Sequence, residues 1–180
     1  MKTPIFLLLL FIFISCTTTR FQKSKEGKIY VLYDKSNVLN WDDFKAIPYK
    51  KSEINGYLSV TLYLSQGVDV WWGYKYFESH SAIFPYESWV KDSKHTDYYL
   101  SHFKTWFSIA EIYAKKLLQY LKENKVDYDD KPKITEVFNQ FNKEYLKREK
   151  EYLDETKDAL DTLKQLDWND KIEKELREMK

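Results

Sequence analysis

The chain carries few side chains that are suited to acid–base or metal chemistry near neutral pH. Histidine is the best of these, because its pKa lies close to physiological pH and its ring nitrogens bind zinc. The 180-residue chain has three histidines, His80, His95 and His102. None has a second histidine or a cysteine four residues away, the spacing that places two metal ligands on one helix face. Two interpretations stay open: the three histidines join in a rearranged metal site, or they are ordinary polar residues.

Carboxylates offer a second route to hydrolysis. Glu78, Glu87 and Glu111 are candidates to face a groove, where a carboxylate can act as a general acid or base. A salt bridge or hydrogen bond between helices explains Glu111 equally well. The sequence contains no local motif for Ser-His-Asp catalysis and no glycine-rich phosphate loop. A hydrolase with a rearranged site is therefore one alternative for this chain.

The N-terminal residues have the order of an export signal. Lys2 is followed by an apolar run from Ile5 to Ile14, then by Ser15 and the chain's only cysteine, Cys16. The run has about half of the ~20 residues that a membrane-spanning helix needs, so cleavage is favoured over a permanent anchor. A small residue directly before a unique cysteine resembles the lipobox of bacterial lipoproteins, whose cysteine carries the lipid.

This pattern predicts the domain organisation and the location of the protein. We expect a signal peptide over residues 1–15, a lipidated polar tether over residues 16–27 and a single domain over residues 28–180. Acyl chains on Cys16 would hold the exported protein on the inner or the outer membrane of a bacterium. A secretory signal without lipid is the alternative.

The composition excludes one class of partner and favours long structural elements. Cleavage of the signal removes Lys2 and leaves 28 basic against 28 acidic residues. Such a balance argues against nucleic acid as a partner. Aromatic residues make up 18% of the chain, whereas glycine and proline number four each. Large rings can fill a core or line a groove, and few breakers allow long helices and strands.

The first half of the domain has the pattern of a small antiparallel sheet. Lys28–Tyr33 is a candidate strand, and 56–65 and 68–78 form a predicted β-hairpin around Gln66-Gly67. Asn40 is expected to cap a helical turn that contains Asp42 and Asp43, which explains this acidic pair without catalysis.

The second predicted strand of the hairpin is rich in aromatic residues. Alternation would place every second side chain on one face, where the rings could form a stacking platform for sugar or peptide. Burial of this face under helices is the other interpretation. The candidate groove aromatics are Trp71, Trp72, Tyr74 and Tyr76.

From Thr96 onward the apolar residues recur at three- and four-residue steps, which predicts helices. A first helix is followed by a polar loop at 124–132, then by a second helix to about Gln165 and an amphipathic stretch from Trp168 to Met179. The predicted fold class is therefore α+β: a small antiparallel sheet packed on a long helical hairpin, with a C-terminal amphipathic helix.

Several short segments between residues 39 and 176 carry a resemblance through their order and spacing. They are Asn40-Trp41-Asp42-Asp43-Phe44-Lys45, Ser88-Trp89-Val90-Lys91, Thr96-Asp97-Tyr98-Tyr99-Leu100, Ile109-Ala110-Glu111-Ile112-Tyr113-Ala114-Lys115-Lys116-Leu117, and Tyr152, Glu155-Thr156, Gln165 and Trp168. Together these segments resemble one exported bacterial family of unknown function whose members are predicted to be zinc-dependent peptidases. The resemblance extends over most of residues 39–176.

The resemblance implies that the zinc site of the family is degenerate in this chain. Where the family has HExxH, this chain keeps His102 but has Phe103 at the position of the general base and Trp106 at the second ligand. The family's third ligand corresponds to Asp158. Phenyl and indole rings offer zinc no lone pair, and a catalytic zinc needs about three protein ligands. We therefore expect no catalytic residues, no metal and no cofactor at these positions.

The resulting hypothesis is a membrane-anchored lipoprotein with a catalytically inactive, zinc-peptidase-like domain. It would act by binding a peptide, protein or glycan in the cell envelope. An active hydrolase with a rearranged site and a purely structural envelope lipoprotein are the alternatives. Exposed aromatic rings would favour binding, and buried rings would favour a structural role.

Overall fold

The computed structural model describes residues 20–36 and 38–179. The predicted signal peptide and the predicted lipid site, Cys16, lie outside these residues. Within the described ranges, no helix combines the length and the apolar character needed to cross a membrane.

A curled antiparallel sheet forms one layer of the fold. The six strands of the fold are Gln22–Lys23 (β1), Ile29–Leu32 (β2), Gly56–Tyr57 (β3), Val60–Val68 (β4), Lys75–Ile83 (β5) and Trp89–Val90 (β6) in the described residues. The sheet has four strands in the order β1-β2-β5-β4, and β3 and β6 form a separate pair. The first half of β4 consists of valine, threonine, leucine and tyrosine, residues that suit a half-buried strand.

Three helices form the other layer. They are α1 (Asp97–Glu123), α2 (Lys131–Thr156) and α3 (Thr162–Glu178). A side-chain oxygen caps each start: Thr96 accepts the Tyr99 N–H, Asp130 the Lys133 N–H and Asp161 the Lys164 N–H. Helix α1 packs against β4, β5 and both other helices, so it forms the centre of the core. The predicted α+β class and the C-terminal helix are confirmed.

The predicted apolar face of α1 is buried as expected. Its aromatic and aliphatic residues contact the sheet on one side and α2 and α3 on the other. Burial of this face supplies much of the hydrophobic stabilisation, at about 25 cal/mol per Å² of apolar surface. The buried members of the predicted face are Tyr99, His102, Phe103, Trp106, Ala110, Tyr113, Leu117 and Leu121.

The hairpin turn lies later in the chain than predicted. Strand β4 runs through Gln66-Gly67 to Val68, which pairs with Lys75. The turn is made instead by 69–74, where the Asp69 carboxylate accepts the N–H of Trp71 at 3.0 Å and of Trp72 at 2.7 Å. Such Asx hydrogen bonds stabilise a turn without the Asn-Gly or Asp-Gly signal. The predicted aromatic face along residues 68–76 is therefore wrong, because most of these residues belong to the turn.

The second helix is shorter than predicted. It ends at Thr156, and Lys157, Asp158 and Ala159 have positive φ angles of 49°, 50° and 66°. The chain then turns, and α3 begins at Thr162 after its Asp161 cap. Neither glycine nor proline marks this break, so periodicity alone predicted one continuous helix.

The N-terminal boundary of the domain also differs from the predicted tether. Residues 22–23 form β1 and pair with β2. Arg20 donates to the buried Asp43 carboxylate at 2.6 Å. The same carboxylate accepts the backbone N–H of Asn40 at 2.9 Å, and Asn40 Oδ1 accepts the N–H of Asp42 at 2.9 Å, which confirms the predicted cap by Asn40. Residues 20–27 therefore belong to the folded domain.

Candidate functional site

His102 lies in a closed polar cluster between the three helices. Its side chain is almost fully buried, with 2% exposed. Nδ1 lies 2.8 Å from Gln165 Oε1 and 2.7 Å from the Tyr152 hydroxyl. The Gln165 amide nitrogen donates to Asn169 at 2.6 Å, so Gln165 Oε1 is free to accept. This geometry places the imidazole proton on Nδ1.

The surroundings keep His102 uncharged. Burial lowers the pKa of His102 to about 4, and the hydrogen bond to Gln165 offsets only part of that effect. Burial also raises the pKa of the Tyr152 hydroxyl well above its usual range. At neutral pH the cluster therefore holds a neutral imidazole and a neutral phenol.

Aromatic rings occupy the two positions beside His102 that the resemblance assigns to a base and a ligand. The Phe103 ring centroid lies 5.3 Å from that of His102, and the Trp106 centroid lies 6.1 Å away. Both side chains are buried. The Trp106 Nε1 donates to Glu149 at 2.5 Å, and its ring meets Tyr57 edge-on. Trp106 is thus a packed and satisfied core residue.

Asp158, the position of the family's third ligand, lies in the turn between α2 and α3. It is half-buried, and this burial raises the pKa of its carboxyl group. The residues in hydrogen-bond contact with His102 are instead Tyr152 and Gln165. Among the described residues, no group of three or more His, Cys, Asp or Glu side chains could hold a metal ion. The residues around His102 therefore do not fit a catalytic zinc.

The other two histidines have separate surroundings. The His95 ring stacks on Trp41 with centroids 4.7 Å apart. His80 projects from β5, and its Nδ1 lies 3.5 Å from Glu111 Oε1. The structure thus does not bring the three histidines together, and the interpretation of a shared metal site is wrong.

Of the three candidate catalytic carboxylates, Glu111 alone is buried. It accepts the Ser81 N–H at 2.7 Å and the Ser81 hydroxyl at 3.2 Å, which ties α1 to β5. The nearby Glu111 carboxylate raises the pKa of His80. Glu87 pairs with Lys28 at the surface, and Glu78 is exposed. The three carboxylates do not form a catalytic pair.

A cleft of about 790 Å³ opens between α1, α3 and the segment that follows β2. Glu111 and His80 line one part of it, and Tyr33 donates to or accepts from Ser108 at 3.4 Å in another. Sequence reasoning missed this cleft. The available signal was a polar stripe on α1 at Ser101, Lys104, Thr105, Ser108, Glu111 and Lys115, which all line it.

Three of the four predicted groove aromatics, Trp71, Trp72 and Tyr74, lie on the exposed turn of the β4–β5 hairpin, and the fourth, Tyr76, lies in β5. The exposed fractions are 89% for Trp71, 76% for Trp72 and 69% for Tyr74. Tyr76 packs over Gly67, where a Cβ atom would lie 2.4 Å from the ring. This close approach explains why residue 67 is a glycine, although Gly67 lies in β4 and not in the turn where the sequence pattern placed it. We call Trp71, Trp72 and Tyr74 the aromatic tip.

The aromatic tip does not form a groove with Trp106. The rings that contact Trp106 are those of His102, Phe103 and Tyr57. The described residues thus offer three candidate features: the closed His102 cluster, the cleft, which Asn169 connects to that cluster through Gln165, and the aromatic tip. Comparisons with known protein families, with curated proteins and with solved structures found no significant match to this chain.

Proposed function

We propose that the protein is an exported lipoprotein, anchored through Cys16, whose zinc-peptidase-like domain is catalytically inactive and binds a cell-envelope polymer through its aromatic tip. The mature chain would then work at a bacterial membrane surface. The proposal combines the N-terminal signal pattern with the chemistry of the His102 cluster and the exposure of the tip.

The chemistry around His102 supports an inactive domain. Activation of a water molecule requires a metal or a base near it. Phe103 and Trp106 supply neither, and the imidazole of His102 is enclosed and, with a pKa of about 4, only a weak base. Glu111 offers no substitute for such a base, because one of its carboxylate oxygens already accepts the Ser81 N–H at 2.7 Å. The alternative of a hydrolase with a rearranged site has less support for this reason.

The observation that carries the proposed binding role is the exposure of the aromatic tip. Trp71, Trp72 and Tyr74 point into solvent from a turn that Asp69 stabilises with hydrogen bonds. Aromatic side chains dominate binding energetics because they bring large contact area, and contiguous exposed apolar surface marks interaction sites. The aromatic tip also weighs against a purely structural role.

Purified peptidoglycan tests the proposed role, because this polymer presents both sugar faces and peptides to aromatic rings. The wild-type protein should sediment with it, and the double variant Trp71→Ala and Trp72→Ala should stay in solution. A matched control replaces Tyr49 and Tyr86, which are also exposed but lie elsewhere, with alanine. Equal sedimentation of the tip variant, or none of the wild type, would contradict the proposed ligand.

A further inference from the structure

The cleft between α1 and α3 combines two kinds of surface. Its volume of about 790 Å³ lies within the usual range of small-molecule sites, ~300–1,000 Å³. Helix α3 runs parallel to α1, since Asn169 contacts Ser101 and Glu175 contacts Lys116. The α1 residues in the cleft are polar or charged, whereas its apolar lining includes Ile172 and Leu176 of α3 and Met179, directly after that helix.

Positive charge is unpaired in the cleft. Lys35, Lys104 and Lys115 line it, and none forms an ion pair with another residue in the part of the chain that the structure describes. A fourth cation, Arg177, is already paired with Glu173 at 2.6 Å. The ammonium groups of these three lysines are therefore available to an anionic group of a ligand.

The acidic groups of the cleft offset the lysines only in part. Four cations, Lys35, Lys104, Lys115 and Arg177, stand against three carboxylates, Asp34, Glu111 and Glu173, which leaves a formal net charge of 4 − 3 = +1 with His80 neutral. The Asp34 carboxylate accepts the Ser36 N–H at 2.8 Å. Glu173 pairs with Arg177, and Glu111 is held by Ser81 and lies close to His80. No other acidic residue lines the cleft within the described ranges.

The apolar part of the cleft lies along α3 and the segment after β2. Val38 joins Ile172, Leu176 and Met179 in lining it. Val38 and Leu176 pack against the hydrophobic core only in part, so each also presents surface to the cleft. An apolar chain placed there would bury this surface at about 25 cal/mol per Å².

We propose that the cleft binds an anionic amphiphile with a single acyl chain, such as a long-chain fatty acid. The acyl chain would lie against Val38, Leu176 and Met179, and the carboxylate would contact Lys104 or Lys115. Charge complementarity and the apolar lining select this class over a neutral or cationic ligand. This site is separate from the aromatic tip and does not depend on the proposed polymer binding.

Photo-crosslinking in membranes tests the proposal on the full chain. A palmitic acid analogue with a diazirine on its acyl chain and a free carboxylate is added to membranes that contain the protein. After irradiation, mass spectrometry should locate adducts on residues 172–179 and on Val38, and excess palmitate should suppress them. Adducts spread over the surface, without preference for the cleft, would overturn the proposal.

Charge-reversal variants test the contribution of the lysines. Lys104→Glu with Lys115→Glu should abolish the adducts in the cleft, whereas Lys131→Glu with Lys143→Glu, on the exposed surface of α2, should leave them unchanged. Circular dichroism establishes that both variants fold. If an acidic peptide suppresses the adducts and palmitate does not, the cleft is a peptide site and the acyl-chain proposal is wrong.

Discussion

The Tyr152 hydroxyl lies 2.7 Å from His102 Nδ1 and 2.9 Å from the carbonyl oxygen of the same residue. One phenol from α2 thus holds both the backbone and the ring of a histidine on α1. Together with Gln165, it fixes the tautomer in which Nδ1 carries the proton. Histidines that bind metals are usually held in this way, with one ring N–H donated to an oxygen. In this chain the same kind of hydrogen bond ties the His102 ring to Tyr152 of α2 and Gln165 of α3.

Stability should fall with decreasing pH because of His102. Its pKa is about 4 in the folded protein and near 6.5 in the unfolded chain, so the unfolded state takes up the proton first. The contribution is complete above pH 6.5 and decreases as the pH falls toward 4. The free energy of unfolding should lose about 3 kcal/mol between pH 7 and pH 4 from this group. Urea denaturation at several pH values measures this loss in the free energy of unfolding.

His102→Asn is the matched control for this pH effect, since an amide nitrogen can replace Nδ1 as the donor to Gln165. The difference between wild type and variant removes the contributions of other groups. Among these is His80, whose raised pKa acts in the opposite sense. A variant with the same pH dependence as the wild type would mean that His102 is accessible to protons in the folded state.

Trp106 should stabilise the fold, although the resemblance places it at a former ligand position. Its side chain is only 5% exposed, and truncation of such a ring to alanine costs about 3–5 kcal/mol. Trp106→Ala should lower the melting temperature by about 10 °C, because each kcal/mol shifts a domain of this size by about 2–4 °C. Trp72→Ala, in the exposed tip, should leave the melting temperature unchanged. Thermal unfolding followed by circular dichroism compares the two.

The N-terminal signal predicts lipidation of Cys16. Cells that are fed labelled palmitate should incorporate the label into the wild-type protein, which should fractionate with membranes. Cys16→Ser should lose both the label and the membrane fraction, whereas Ser24→Ala should lose neither. A labelled Cys16→Ser protein would refute the assignment.

The local parts of the fold could be predicted from the sequence, because their signals are local. The Asn40 and Thr96 caps and the buried face of α1 follow from side-chain chemistry and from the helical period. The turn at 69–74 was missed because its stabilising group is the Asp69 side chain, whereas Gly67 is required by the ring of Tyr76. The break after Thr156 carries no glycine or proline.

The candidate sites were less predictable, since they depend on how distant segments pack. Gln165 is 63 residues from His102 in the sequence, and Tyr152 is 50 residues away. Only the crossing of α1, α2 and α3 brings them together. The cleft depends in the same way on α3 lying parallel to α1, and the predicted single long helix would not have allowed that arrangement.

The scaffold around His102 can be tested by restoring the ligands that the resemblance implies. Trp106→His adds a ligand one turn after His102, Asp158→His adds a third, and Phe103→Glu restores the base. The triple variant should bind about one zinc ion per chain, because three ligands suffice for such a site. Activity should return less readily, since small misplacements disable catalysis. His102→Ala in the triple variant is the control and should abolish binding; a folded triple variant without zinc would show that the positions do not converge.

The zinc content of the wild-type protein is the decisive test of the His102 cluster. His102, Tyr152 and Gln165 form a neutral hydrogen-bonded cluster, and the proposed function is binding without catalysis. After dialysis, elemental analysis should find no stoichiometric zinc in the wild type, with the triple variant loaded in parallel as the positive control. One tightly held zinc ion per wild-type chain, lost in His102→Ala, would mean that His102 is a metal ligand and that the proposed inactive site is wrong.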